Sequence, residues 1–303
     1  MDSIALAGGF FAAAVRVATP LLLAATGDTV TQRSGVLNLG LEGMMLAGAL
    51  AATLGATTSG PWTGVGLAVL AGMLLAGAFA LVTIGARADQ VIAGTAITLG
   101  AVGLTGTIYR QAYGAAGAGL DLPTLAPIPI PGLSAMPILG PAFFNQPAPT
   151  YLGLLAIPIV WWMLFRTSIG LALRATGESA AVARAAGVPT RLVRVGATLI
   201  GGGFAGLAGA TLVLAQVGTF AERMTAGRGY VAIAIVVLGR WHPLGAAVAA
   251  LAFGAAMALQ FLFQTLGLDV PYQLFLMLPY VLALLALAGV VGSVRAPADL
   301  GRP

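Results

Sequence analysis

Residues Trp62–Ala86 read WTGVGLAVLAGMLLAGAFALVTIGA, 25 positions without a single charged side chain. A hydrocarbon core about 30 Å thick is crossed by about 20 apolar residues in a helix, so this run predicts a transmembrane span. Working outward, comparable runs occupy Ile4–Thr26 (interrupted by Arg16), Val36–Thr57, Val91–Tyr109 and Thr150–Phe165. They continue at Val195–Gln216, a short stretch Met224–Gly239, Pro243–Gln264 and Tyr272–Gly292. Nine spans result, with eight to ten acceptable because the first and seventh runs are imperfect. The whole 303-residue chain agrees: 59% of it is apolar and only 8% charged, and its mean hydropathy is +0.99. A soluble domain carries about 25% charged residues to solvate its surface. The predicted fold class is therefore an all-α polytopic membrane protein. The start, Met1-Asp2-Ser3, lacks the basic region of a cleavable signal, so none is expected.

Composition also removes whole classes of chemistry. The chain has no cysteine and one histidine, His242, which excludes a thiolate nucleophile, a Cys-rich zinc site and a multi-histidine metal centre. All 14 basic residues are arginine, so neither a lysine Schiff base nor a GxxxxGK[ST] phosphate loop can form. No GxSxG occurs, which argues against a serine hydrolase. No catalytic residue, metal or cofactor is expected, and any ATP used must be bound by another chain.

The net charge of +5 is explained by where the arginines lie. Positive loops stay in the cytoplasm, and the stretch 166–194 holds Arg166, Arg174, Arg184, Arg191 and Arg194 against one acid, Glu178. With that loop inside, alternation places the loops at Arg33, Arg87 and Arg240 inside, together with the tail bearing Arg295 and Arg302. The acidic N-terminus falls outside. Arg110 and the Arg223–Arg228 stretch are the exceptions. The basic balance thus reports topology, and no nucleic-acid partner is expected. Residues 112–149, with eight prolines, fall on the periplasmic side. Proline opposes regular helix, so this segment is either a connector or a docking surface for an external protein.

Polar residues inside the spans are the functional candidates. In Gly27–Leu50, GDTVTQRSGVLNLGLEGMMLAGAL, a polar hinge from Asp28 to Ser34 is expected to lead into a helix carrying Asn38 and Glu42. Four residues apart, these two would share one helix face. A carboxylate within a span is costly and faces a cavity or a partner; Arg16 is one possible partner. Two readings stand: a structural contact, or lining of a solute pathway. Small residues at Gly100-Gly103-Gly106, Gly202-Gly206-Gly209 and Gly245 with Ala249 predict close helix packing.

Between Gln216 and Trp241 the sequence QVGTFAERMTAGRGYVAIAIVVLGRW has an apolar run barely long enough to span. Short, glycine-interrupted segments mark discontinuous helices around binding sites. Phe220, Glu222 and Tyr230 are candidates to line a pathway, and Gln260 is a weaker one. Trp241 reads as an interfacial anchor and His242 as a loop residue. In the loop after Arg166, Ala180–Ala186 predicts one short helix of two to three turns, stopped by Gly187 and Pro189. Such a helix suits insertion into a groove of another protein.

At these residues the chain resembles a known family. The helix with Gly177-Glu178 and Ala185-Ala186-Gly187 looks like the coupling loop of bacterial ATP-binding cassette (ABC) importer permeases. Arg33-Ser34-Gly35-Val36-Leu37-Asn38-Leu39-Gly40-Leu41-Glu42-Gly43 closely matches a signature of the nucleoside and simple-sugar permeases. So does Gly227-Arg228-Gly229-Tyr230-Val231-Ala232-Ile233-Ala234, followed by Leu238-Gly239-Arg240-Trp241 and Pro243. These permeases are related to the ribose and branched-chain amino acid translocators. The loop departs from the full EAA pattern of other importers. The resemblance covers nearly all of 1–303 and implies one transmembrane permease domain, built as an importer permease bundle in the bacterial inner membrane. It implies four further components: a cytoplasmic ATPase, a second permease that is a copy or a paralogue, a periplasmic or lipid-anchored binding protein, and the bilayer. Arg174, Gly177, Glu178, Arg184, Ala185, Ala186 and Gly187 would then couple to the ATPase. Nucleosides lead as solute, ahead of simple sugars, purine bases and riboflavin-like rings. The rival is a secondary carrier in which Glu42 or Glu222 binds a coupling proton; it predicts an internal repeat, and no convincing one is evident.

Overall fold

The computed structural model describes residues 3–114, 122–265 and 295–302, together with 277, 281 and 284. The chain is helical from its start: α1 (Ser3–Arg33), α2 (Leu41–Ser59), α3 (Pro61–Ala80) and α4 (Gln90–Tyr113). There follow the two short strands β1 (Pro127–Pro129) and β2 (Asn145–Pro147) around α5 (Leu139–Phe143). The second half holds α6 (Ala148–Arg166), α7 (Ser168–Glu178), α8 (Ala180–Ala185), α9 (Thr190–Thr211), α10 (Arg228–Leu238) and α11 (Pro243–Thr265). α3 and α9 each end in a π-helical turn, Leu81–Gly85 and Leu212–Val217. Among the described residues, five stretches are long and apolar enough to cross a membrane: Leu6–Arg33, Pro61–Gly85, Gln90–Tyr113, Ala148–Arg166 and Thr190–Val217. Each of the first eight expected spans falls on a helix; the ninth, Tyr272–Gly292, lies outside the described residues.

The bundle is centred on α1, α2, α3 and α9, where glycines let backbones touch. A Cβ on Gly206 would overlap the Ala68 carbonyl oxygen, one on Gly209 that of Met45, and one on Gly202 the Ala76 side chain. Helices in lipid associate through such close van der Waals contact, since lipid tails are as apolar as leucine. The expected α9 stripe is therefore a packing stripe. The α4 stripe is not: Gly100 and Gly103 are exposed with open space around them.

α1 corrects the expected hinge. Asp28–Arg33 is helical, and the break comes later, at residues 34–40. The polar side chains find partners inside the helix: Thr29 Oγ1 donates to Ala25 O (2.7 Å) and Gln32 Nε2 to Asp28 Oδ2 (2.6 Å). Gly35, at φ +89, ends the helix, with Gly35 N–H bonded to Gln32 O and Val36 N–H to Thr31 O. That is the left-handed glycine stop of a Schellman motif.

The described part of the proline-rich segment is tied to the bundle at a few buried residues, while most of it is exposed. Where α9 loosens into its π-helical turn and stops, the Leu214 and Gly218 carbonyls accept from Leu125 N–H (2.8 Å) and Leu122 N–H (3.0 Å). Leu122 and Leu125 are themselves buried. β1 and β2 pair antiparallel, Ile128 opposite Gln146. The buried Gln146 donates from Nε2 to the Ala12, Pro141 and Ala142 carbonyls.

Candidate functional site: a half-helix held at both ends

α10 has 11 residues, so it is about 16 Å long, half of a hydrocarbon core. Its C-terminal end lies where the ends of α1, α3, α4, α6 and α9 also gather with Arg33, Arg166, Arg191 and Arg194: the arginine-rich end. Its N-terminus meets Glu42. Gly227 N–H donates to Glu42 Oε1 (2.8 Å) and Gly229 N–H to Oε2 (2.6 Å). A helix N-terminus carries orphan N–H groups and partial positive charge, and this carboxylate satisfies both needs. No side chain fits at Gly229, because a Cβ there would lie 2.5 Å from Glu42 Cα. Glu42 is level with Thr98, since Gly43 packs against Thr98 Cα. Thr98 is eight residues into α4, about 12 Å from the arginine-rich end.

Two expectations are corrected here. Glu42 is bound by backbone N–H groups of the α10 entry, not by Arg16, whose carbonyl accepts from Gln216 Nε2 (2.6 Å). Asn38 does not share a helix face with Glu42, because α2 starts only at Leu41. Its Oδ1 accepts from Gly40 N–H (3.0 Å) and its Nδ2 lies 3.3 Å from Met44 Sδ, so it shapes the turn into α2. Non-helical backbone at membrane depth must be buried in protein, and the 34–40 break is. Leu37 N–H donates to Gln90 Oε1 (2.7 Å) and Arg194 Nε to Ser34 O (3.3 Å).

The other aromatic and acidic candidates are elsewhere. Phe220 packs in the core against Tyr109, ring centroids 4.8 Å apart. Glu222 pairs with Arg110 (3.0 Å), both side chains about half exposed. Tyr230, one residue into α10 from Gly229, is exposed at 41%. Gln260 sits on α11, but its side chain is outside the described residues.

At the arginine-rich end the turn between α10 and α11 is sewn to α1. Trp241 is not an interfacial anchor: it is buried, its Nε1–H donates to Gln32 Oε1 (2.7 Å), and its carbonyl accepts from Arg33 Nε (2.6 Å). A buried indole N–H needs an acceptor, and Gln32 provides it. His242 stacks on Phe165 (5.0 Å between centroids), over which the guanidiniums of Arg174 (5.1 Å) and Arg33 (5.8 Å) also lie. Burial, and then the positive charge of Arg33, hold the His242 imidazole below its usual pKa.

The loop after α6 forms two helices rather than one, α7 and α8. Ser179 breaks between them, its Oγ accepting from Val182 N–H (3.4 Å). Gly187, at φ +84, ends α8 as expected. Glu178, Arg184, Ala185, Ala186 and Gly187 are exposed, while Gly177 is buried against the Arg33 carbonyl, which leaves no room for a Cβ. The C-terminal segment clasps this region: Asp299 Oδ2 accepts from Ala180 N–H (2.7 Å), and Gly301 N–H donates to Gly35 O (3.1 Å). Sequence reading missed Gln32, Gln90, Arg194 and Asp299. Only the i, i+4 spacing of Asp28 and Gln32 was a readable signal, and only once that stretch is known to be helical.

Several helices long enough to span, two helix breaks (34–40 and 218–227) and a capped half-helix describe a multi-pass membrane protein. A family described as "Branched-chain amino acid transport system / permease component" matches residues 10–287, and the chain belongs to it. It is 42% identical, over 86% of its length and 80% of the relative's, to a putative glucose ABC transporter permease protein of Haloferax volcanii. It is 36% identical to a guanosine ABC transporter permease protein of Bacillus subtilis, covering 100% of this chain and 98% of the relative. A nucleoside ABC transporter permease protein of Lactococcus lactis is 32% identical over 92% and 91%. The protein is thus the transmembrane subunit of an ABC importer and not an enzyme. It works with an ATPase and a substrate-binding protein. Family membership displaces the secondary-carrier reading, and Glu42 has a helix terminus to hold.

Proposed function

We propose that this permease carries nucleosides inward across the bacterial inner membrane, paired with a second permease chain. The observation that carries the solute class is end-to-end similarity to a guanosine permease, 100% of this chain against 98% of the relative. The glucose relative, 42% identical, supports a simple sugar as the second reading; the two solutes share a sugar ring. The arginine-rich end faces the cytoplasm, and α7 with α8 forms the surface that docks the ATPase. Arg174, Gly177, Glu178, Arg184, Ala185, Ala186 and Gly187 couple the two, with Gly177 carrying motion into α1. The solute path runs beside the two breaks, where Asn38 and Glu42 shape the wall and Tyr230 offers an aromatic face. Phe220, Glu222 and Gln260 belong to its surroundings, and the proline-rich segment 112–149 lies under the binding protein.

The test is uptake of radiolabelled guanosine by the complete importer in its native membranes. Saturable uptake that inosine competes and glucose does not is the expected result. Glucose import with no guanosine import would replace the nucleoside by the sugar.

A further inference from the structure

We propose that Gln32 and Trp241 are positioning residues of the transport cycle, tying movement of α7 to the half-helix α10. The proposal rests on the coupling role given above to α7 and α8. The physical chain begins at Gly177, which lies so close to the Arg33 carbonyl that no Cβ fits between them. Beside Arg33, Gln32 accepts from the Trp241 indole N–H at 2.7 Å, while Arg33 Nε donates to the Trp241 carbonyl at 2.6 Å. Asp28 Oδ2 accepts from Gln32 Nε2 at 2.6 Å, which turns the amide so that its oxygen faces the indole. Asp28 and Gln32 are fully buried and Trp241 is 5% exposed, so losing the amide–indole bond leaves buried polar groups unpaired.

Trp241 lies three residues beyond the end of α10, in an unusual turn. Arg240 and Trp241 adopt φ of +56 and +52 in succession, a left-handed conformation that bulky residues avoid. The surroundings must hold that turn in place, and the bonds from α1 do so. At its other end α10 is held by Glu42 of α2. Any shift of the α1 end relative to α2 therefore has to tilt or slide α10. A phenylalanine would fill the Trp241 site without the N–H, which separates the link from simple packing.

The chain has no cysteine, so an introduced thiol is the single label site on this subunit, read on its own gel band apart from the partner chains. In the complete importer purified from its membranes, Tyr230→Cys is labelled with a maleimide, with and without ATP plus vanadate. Labelling in the parent is expected to change about tenfold on trapping. In Trp241→Phe and Gln32→Leu backgrounds that change is lost while nucleotide trapping persists. The proposal is overturned if the variants keep the change, if the parent shows none, or if trapping and folded complex disappear together with it. Failure of the coupling reading shows separately, as normal trapping in Ala186→Trp.

Discussion

The α3–α9 contact and the α1–α10 junction hold helices together by opposite means. In the first, Gly72, Gly202 and Gly206 bring backbones into direct touch with no polar side chain involved. In the second, Gln32 and Arg33 of α1 bond to Trp241 in the turn after α10, with Asp28 holding Gln32; the amide–indole bond is buried and the Arg33 bond part-buried. A glycine contact has one close-packed arrangement, and loosening it forfeits dispersion over many atoms. A hydrogen-bonded junction can exchange partners between two discrete arrangements, as a switching element requires. The molecule thus combines a close-packed frame, α2–α3–α9, with a half-helix attached through polar bonds at each end.

The frame is where substitution should cost most. Gly206→Leu puts a side chain where the Ala68 carbonyl already sits, and overpacking of this kind costs about 3 kcal/mol or more. The expected outcome is little or no folded protein by size-exclusion in detergent; a well-folded variant would break the idea of a rigid frame. At the half-helix, Glu42→Ala leaves the Gly227 and Gly229 N–H groups without acceptors, each worth about 1–3 kcal/mol. Folded protein with a lowered Tm and lost import is expected, with Glu42→Gln between it and the parent. Unchanged import in Glu42→Ala would remove α10 capping from the mechanism.

The two smallest effects sharpen the contrast, one from an exposed ion pair outside both regions and one from the edge of the α1–α10 junction. Arg110→Ala and Glu222→Gln break an ion pair that is 52% and 44% exposed, a class worth less than about 1 kcal/mol. Import is expected to persist in both; abolished import in Glu222→Gln alone would move the pathway to that residue. His242, whose pKa is lowered from 6.5, sets a weak pH dependence. Below 6.5 the unfolded chain takes up a proton that the folded chain resists. Stability therefore rises with pH through the window between the folded value and 6.5, and falls as pH drops through it. His242→Asn should flatten that slope in thermal unfolding scans from pH 5 to 8.

Much of the frame was readable from runs such as Trp62–Ala86, because the bilayer demands length and apolarity and both are local properties. The stripe Gly202-Gly206-Gly209 was equally legible, but Gly100-Gly103, also on one helix face, packs against nothing in this structure. Spacing states that a close approach is permitted; only the neighbouring helix decides whether it happens. The shortness of α10 was visible too, as an apolar run interrupted by Gly227 and Gly229. The partners of its ends were not. Glu42 lies 185 residues from Gly227 and Gln32 209 residues from Trp241, and no local pattern encodes such pairs. Reading Asp28–Ser34 as a hinge failed for a related reason, since Gln32 bonds to Asp28 four residues back and to Trp241 after α10, and Thr31 to Ala197 of α9. By itself, then, the sequence determined a membrane-spanning helical chain that lacks a lysine-containing phosphate loop, because composition and run length answer to the solvent and a missing residue type is plain to read. Tertiary structure alone decided what Glu42, Gln32 and Trp241 do, because a buried polar group takes its role from whichever partner the fold brings within about 3 Å.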